Sequence, residues 1–199
     1  LKAGTTFPEA PWRLILQGSH IGVAHPLYKT PNRGCRSNRD FAPIDLQGLT
    51  VDYLPRTNFA PAVSAEEYLR QVERVPWGRD LPVTALYRLV MRKMTQHANE
   101  RSLYAAIVAP GASHVDGCFS MAFEHRASLL KAATIAASIV GDFFVRSTGK
   151  SNLREDVIGR LPVLSEGPAA RAAEARILRL NCLSAAYEDL WRSGWRDEM

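Results

Sequence analysis

Apolar positions fall into short runs in the first sixty residues and into longer periodic stretches after Ser64. Leu14 to Leu16 is a brief apolar run ended by Gly18, which predicts a strand. "HPLYKTPNRGCRSNRD" (25–40) carries Pro26, Pro31, Gly34 and many polar residues, the composition of a long loop. Extended pieces follow, punctuated by Pro55 and Pro61. Ser64 with Glu67 three positions on forms a capping box, and Tyr68, Leu69, Val72 and Val75 recur at helical spacing until "PWG" (76–78). Leu86, Leu89, Val90 and Met94 predict a second helix over Thr84–His97, with Arg88 and Arg92 sharing its other face.

Ser102–Val108 reads as a buried strand closed by the Pro110-Gly111 turn, and His114–Phe123 as its partner. Ser128–Phe144, rich in Ala, Leu and Ile with Lys131 its one charge before Asp142, predicts a long buried helix. "STGKSN" is a loop, Asn152 with Glu155 repeats the capping pattern before a short helix, and Leu161-Pro162 stops it. Gly167-Pro168 opens a final helix, with Leu180, Leu183, Tyr187, Leu190 and Trp191 along one side. The expected fold is α+β: a mixed sheet with packed helices, long N-terminal loops and a C-terminal helix. The expected division is 1–164 as one domain and 165–199 as a helix packed on it or on a partner domain.

At 199 residues, 46% of them apolar, the chain has enough material for one self-supporting core. Its three cysteines, Cys35, Cys118 and Cys182, are odd in number and far apart, which argues for a reducing, cytoplasmic setting and against a disulfide framework. No CxxC or HxxxH spacing occurs, so no metal site is expected. Neither a secretory h-region nor an 18-residue apolar run is present, and no membrane partner is expected.

The net charge of +5 permits a nucleic-acid partner, and its distribution is more informative. Lys29, Arg33, Arg36 and Arg39 face one acid between His20 and Asp40, with Asn32 and Asn38 among them. Arg and Asn are the side chains that pair bidentately with guanine and adenine edges, although a solvated basic loop has the same composition. Arg146, Lys150, Arg154 and Arg160 form a second group, between Phe144 and Arg160. Its "GKSN" loop (Gly149, Lys150, Ser151, Asn152) offers amides and an ammonium that suit a phosphate oxygen, or it is an ordinary turn.

Two catalytic patterns fail. Ser113, His114 and Asp116 stand too close together for a hydrolytic triad, because neighbours on a strand point to opposite faces. "STGKS" lacks the leading glycine of a P-loop, with Phe144 in that place, and follows a helix rather than a strand. No GxGxxG and no [DNS]-P-P-[YF] tetrapeptide occurs.

Four stretches together resemble one family: "WRLILQGSHIGVAHPLYKTPN" (12–32), "YLPRTNFAPA" (53–62), "YRLVMRKMTQHANERSLYAAIVAPGASHVDGC" (87–118) and "LLKAATIAASIVGDFFVRSTGKSNLREDVIGRLPVL" (129–164). They resemble the region after the catalytic domain in large bacterial adenine-N6 DNA methyltransferases, those of type II restriction–modification and DISARM-like phage defence. The order "NERSL", apolar strand, "PG", His, long helix, "GKSN", "LP" is the most specific part. In that family the region is the target recognition domain. S-adenosylmethionine and the catalytic tetrapeptide belong to a separate domain.

The resemblance implies a specificity fragment or subunit that binds double-stranded DNA. It has no catalytic residue and no cofactor of its own; S-adenosylmethionine is expected in the parent enzyme, and the methyltransferase catalytic domain is the expected partner. Arg88, Arg92, Lys150 and Arg154 are then expected on phosphates, with Ser151 and Asn152 beside them. Arg33, Arg36 and Asn38 are expected on bases, with Lys29, Asn32, Arg39 and Arg56 nearby. Asn99, Arg101 and His114 are expected near the working edge. The rivals are a non-catalytic protein-interaction module with basic loops and an enzyme using His114.

Overall fold

The computed structural model describes residues 1–37, 39–96 and 98–195. At its centre are three antiparallel strands in the order β7 (Ala105–Val108), β6 (Arg88–Arg92), β9 (Cys118–Ala122). The expected helix over 84–97 is therefore a central strand, preceded by one 3-10 turn at Val83–Ala85. The helical spacing of its apolar residues misleads because β6 is covered on both faces. Such a strand reads as a continuous apolar run rather than an alternation. Leu89 and Met91 face one way, opposite Ile107, Met121, Ala105 and Phe119. Arg88, Val90 and Arg92 face the other. The segment His114–Phe123 accordingly does not pair with 102–108: β9 takes the far side of β6.

The Leu89–Met91 face packs under helices, in a core that includes Leu103, Ile107, Leu129, Leu130, Val145 and Leu178. The Val90 face packs against Leu14, Leu16, Ile21, Val108 and Ala112 in a smaller cluster. Strand β2 (Ile15–Leu16), as expected from 14–16, pairs in parallel with β8 (Ser113–His114) at the rim of that cluster. Two further antiparallel pairs complete the N-terminal half: β1 (Lys2–Thr6) with β5 (Thr57–Ala60), and β3 (Lys29–Pro31) with β4 (Phe41–Pro43). The fold is α+β, with several small sheets in place of the one mixed sheet expected. Helix α1 (Ala65–Gln71) starts as its capping pattern predicts, with Ser64 Oγ accepting from the Glu67 amide at 3.2 Å.

The long helix expected over 128–144 is two: α2 (Arg126–Ala137) and α3 (Ile139–Ser147), bent by 68°. Ser138 makes the break, donating its hydroxyl to Ile135 O at 2.7 Å and accepting from the Gly141 amide at 3.0 Å. Gly141 is required there, because a Cβ would lie 2.2 Å from Ile135 O. The short helix α4 (Glu155–Ile158) is capped at Arg154, not Asn152, and no side chain bonds its first amides. The final helix also divides, into α5 (Pro168–Asn181), with Pro168 at its first turn, and α6 (Glu188–Gly194). Among the described residues no single helix is long and apolar enough to cross a membrane.

Residues 165–195 complete the core. Strand β7 is an edge, and its outward backbone groups need partners. The Ile107 amide donates to Asn181 Oδ1 at 2.7 Å, and Ile107 O accepts from the Tyr187 hydroxyl at 3.0 Å. Asn181 in turn donates Nδ2 to Ile177 O within α5.

The "NERSL" segment is tied to the helix bend. The buried Asp142 carboxylate in the first turn of α3 accepts the Ser102 and Leu103 amides at 2.7 and 2.8 Å. Arg101 donates to the carbonyls of Ala137 and Ser138, and Arg146 to those of Asn99 and Glu100. Asp142→Ala strands two amides without an acceptor and should cost about 2–4 kcal/mol in urea denaturation. Asp142→Asn keeps an acceptor oxygen and should cost less; equal losses for the two would contradict the assignment.

Candidate nucleic-acid interface

The tip between β3 and β4 is a built loop. Asp40 Oδ2 accepts from the Arg36 amide, the Ser37 amide and Ser37 Oγ at 2.9–3.1 Å, which holds its carboxyl below the usual range. The Asn32 amide donates to Asp40 O, and the Cys35 amide to Asn32 O. Gly34 (φ +72°) turns the chain. With its backbone thus fixed, the tip leaves Asn32, Arg33, Arg36 and Arg39 exposed. Asn38 lies outside the described residues.

Arg56 joins this group from the start of β5. Its Nε donates to Pro31 O at 2.7 Å, and its guanidinium lies 5.8 Å from the Phe7 ring centroid. Arg33 stacks over the same ring at 5.4 Å, while Phe7 remains 57% exposed. The backbone at Arg56 is positioned by His20, which is fully buried. Arg56 O can only accept, so His20 Nε2 donates to it at 2.9 Å, and Nδ1 accepts from the Gln17 amide at 3.0 Å.

A second cation sits on aromatic rings beside the base of this hairpin. The Arg92 guanidinium lies 3.9 Å from the Tyr104 centroid and 5.7 Å from Tyr28, and donates Nε and Nη2 to Ile21 O. Lys29 approaches the same Tyr28 ring at 5.0 Å. Beyond Arg92 the chain runs along the "GKSN" loop. Thr95 N donates to Ser151 O, Thr95 Oγ1 to Lys150 O, and Leu153 N to Lys93 O, with a bridge between Met94 and Asn152. Lys150, Ser151, Asn152 and Arg154 are exposed around an open hollow. Glu155 and Asp156 share that hollow, and Lys150 Nζ stands 3.6 Å from Asp156.

Four expected contacts are placed differently. Arg88 is not on a helix face: it is 3% exposed on β6 and donates Nη2 to Ala112 O, so it is no phosphate clamp in this fold. Arg101 is engaged with the helix bend, and the Asn99 side chain donates to Gln96. His114 has both ring nitrogens occupied. Nδ1 donates to Val115 O at 3.0 Å, which leaves Nε2 to accept from Ser120 Oγ at 2.9 Å, and burial lowers its pKa. Asp116 pairs with Lys93 at 2.7 Å instead of orienting the imidazole, so Ser113, His114 and Asp116 form no triad.

The aromatic rings Phe7, Tyr28 and Tyr104 are the part that charge counting misses. Their signal was the adjacency of Tyr28 to Lys29; nothing local in the sequence connects Phe7 to Arg33 or Tyr104 to Arg92. Among the described residues no group of His, Cys, Asp or Glu converges as metal ligands. The chain matches no protein-family model, no curated protein and no solved structure.

His20 gives the interface a pH dependence. Burial lowers its pKa below 6.5, so unfolding takes up a proton in acid. The associated stability is present above about pH 6.5 and is lost as pH falls toward the folded-state pKa; His25 and His114 act in the same direction. Urea midpoints should fall between about pH 7.5 and pH 5, and His20→Gln should flatten that slope. An unchanged slope in the variant would remove His20 as its source.

Proposed function

We propose that the chain recognises double-stranded DNA sequence-specifically, as the specificity region of an adenine-N6 DNA methyltransferase of a restriction–modification or phage-defence system. Methyl transfer, and S-adenosylmethionine, belong to a catalytic domain outside this chain. The supporting observation is the exposed hairpin tip with Asn32, Arg33, Arg36 and Arg39 on a backbone fixed by Asp40, with Arg56 and Phe7 beside it. Readers of base edges need guanidinium and amide groups held out on a defined backbone. Lys150 and Arg154, exposed on the loop tied to the end of β6, are assigned to phosphates, and Arg92 contributes the edge of its stacked guanidinium. Ser151 and Asn152 stand beside them. Arg33 and Arg36, with Lys29 and Arg39 flanking, are assigned to the reading side.

A second reading, a protein-interaction module, draws on a different surface. Ile139, Val140 and Phe143 are 78, 62 and 70% exposed on one side of α3. Duplex binding across a salt series separates the two. Lys150→Ala should weaken binding to all sequences alike and flatten the salt slope by about one unit, whereas Arg36→Ala should cost about 1–3 kcal/mol on the cognate site only. Salt-independent or absent duplex binding, with partner binding lost on Phe143→Ser, would favour the second reading. The isolated chain should transfer no label from S-adenosylmethionine to DNA; protein-dependent label would overturn the division of labour.

A further inference from the structure

On the helix side of the sheet, away from the cationic surface, an apolar groove opens to solvent. A cavity of about 310 Å³ opens between β9 and α2, floored by Leu89, Met121 and Phe123. The cause is in the sequence of α2. Ser128, Lys131, Ala132 and Ile135 form the helical stripe that faces the cavity, and two of the four are small. Chain 161–164 (Leu-Pro-Val-Leu) forms the outer wall, without regular secondary structure. The groove is open on one side, and its apolar lining over buried Leu89 and Ile158 gives a concave surface that an apolar ligand can cover.

One charged side chain lines it. Lys131 Nζ lies 2.9 Å from Glu166 Oε1, a carboxylate on the segment that continues the outer wall. Glu166 is 87% exposed at its side chain, against 28% for Lys131. We propose that the cavity binds an elongated apolar molecule ending in a carboxylate, with its tail between β9 and α2 and its head on Lys131. The head takes the place of the Glu166 carboxylate on Lys131, so the ammonium keeps an anionic partner. The largely apolar walls, with Ser128 and Lys131 the polar side chains among them, disfavour a ligand with several oxygens to satisfy. A cationic amphiphile meets Lys131 as a like charge.

Decanoate, below its micellar concentration, is the probe, with decylammonium as the charge control. In the full chain, decanoate should give saturable one-site shifts of the Met121 and Ile135 methyl resonances and raise the thermal midpoint. Lys131→Met should weaken it about tenfold or more, as for loss of a charged hydrogen bond. Ala132→Leu should abolish binding by filling the cavity, without lowering the thermal midpoint. The absence of saturable methyl shifts, equal binding of decylammonium, or undiminished affinity in Lys131→Met would each overturn the proposal.

Discussion

A single buried carboxylate decides how the two halves of the core meet. Asp142 accepts two consecutive amides, of Ser102 and Leu103, at the point where the chain enters β7. Those amides lie ahead of the strand ladder, where no neighbouring strand supplies an acceptor. Placing the acceptor on α3 requires the α2–α3 bend, and the bend requires Ser138 and a residue without Cβ at Gly141. Arg101 and Arg146 then bind carbonyls across the same junction, at 2.8–3.0 Å. The "NERSL" segment is thus an anchoring sequence. Its arginine closes the end of α2, which is why Arg101 does not stand out into solvent.

This distinguishes two populations of arginine that composition cannot separate. Arg88, Arg92 and Arg101 have carbonyl partners within the fold, and Arg92 also lies on aromatic rings. Arg33, Arg36, Arg39 and Arg154 are exposed. A guanidinium is more tolerable in the fold where carbonyls accept from it, as Ala112 O does for Arg88, Ile21 O for Arg92, and Ala137 O and Ser138 O for Arg101. The total of 25 Lys and Arg residues therefore overstates the cations available to a partner.

The capped start of α1, the strand at 15–16, the turn at Pro110-Gly111 and the first-turn proline of α5 were legible because each rests on residues adjacent in sequence. The central strand β6 was not. Its apolar spacing fits a helix, and only pairing with β7 and β9 on either side makes it a strand. The helix bend at Ser138 and the break after Asn181 were hidden for a related reason. Ala-rich and Leu-rich stretches remain helical in propensity, while the breaks answer to distant groups: the 102–103 amides in one case, the β7 edge in the other. Of the candidate site, the basic hairpin tip was legible. Which arginines stay exposed was not, since that depends on carbonyls brought close by tertiary structure.

The hairpin of β3 and β4 forms a two-stranded sheet of its own and shares no ladder with β6, β7 or β9. The turn of its tip is organised by Asp40 and Asn32 within the hairpin, with Thr5 and Asn58 bonded to Asn32 O and Cys35 from outside it. Substitutions at Arg33, Arg36 or Arg39 therefore leave every core contact in place. Selection can vary these exposed side chains at little cost to folding, whereas an exchange of residues 29–43 as a block must also preserve what Thr5, Arg56 and Asn58 bind in the hairpin, at Asn32 O, Pro31 O and Cys35. The helix junction at Asp142 has no such freedom, because its carboxylate on α3 must meet two consecutive amides, of Ser102 and Leu103, about forty residues away in sequence.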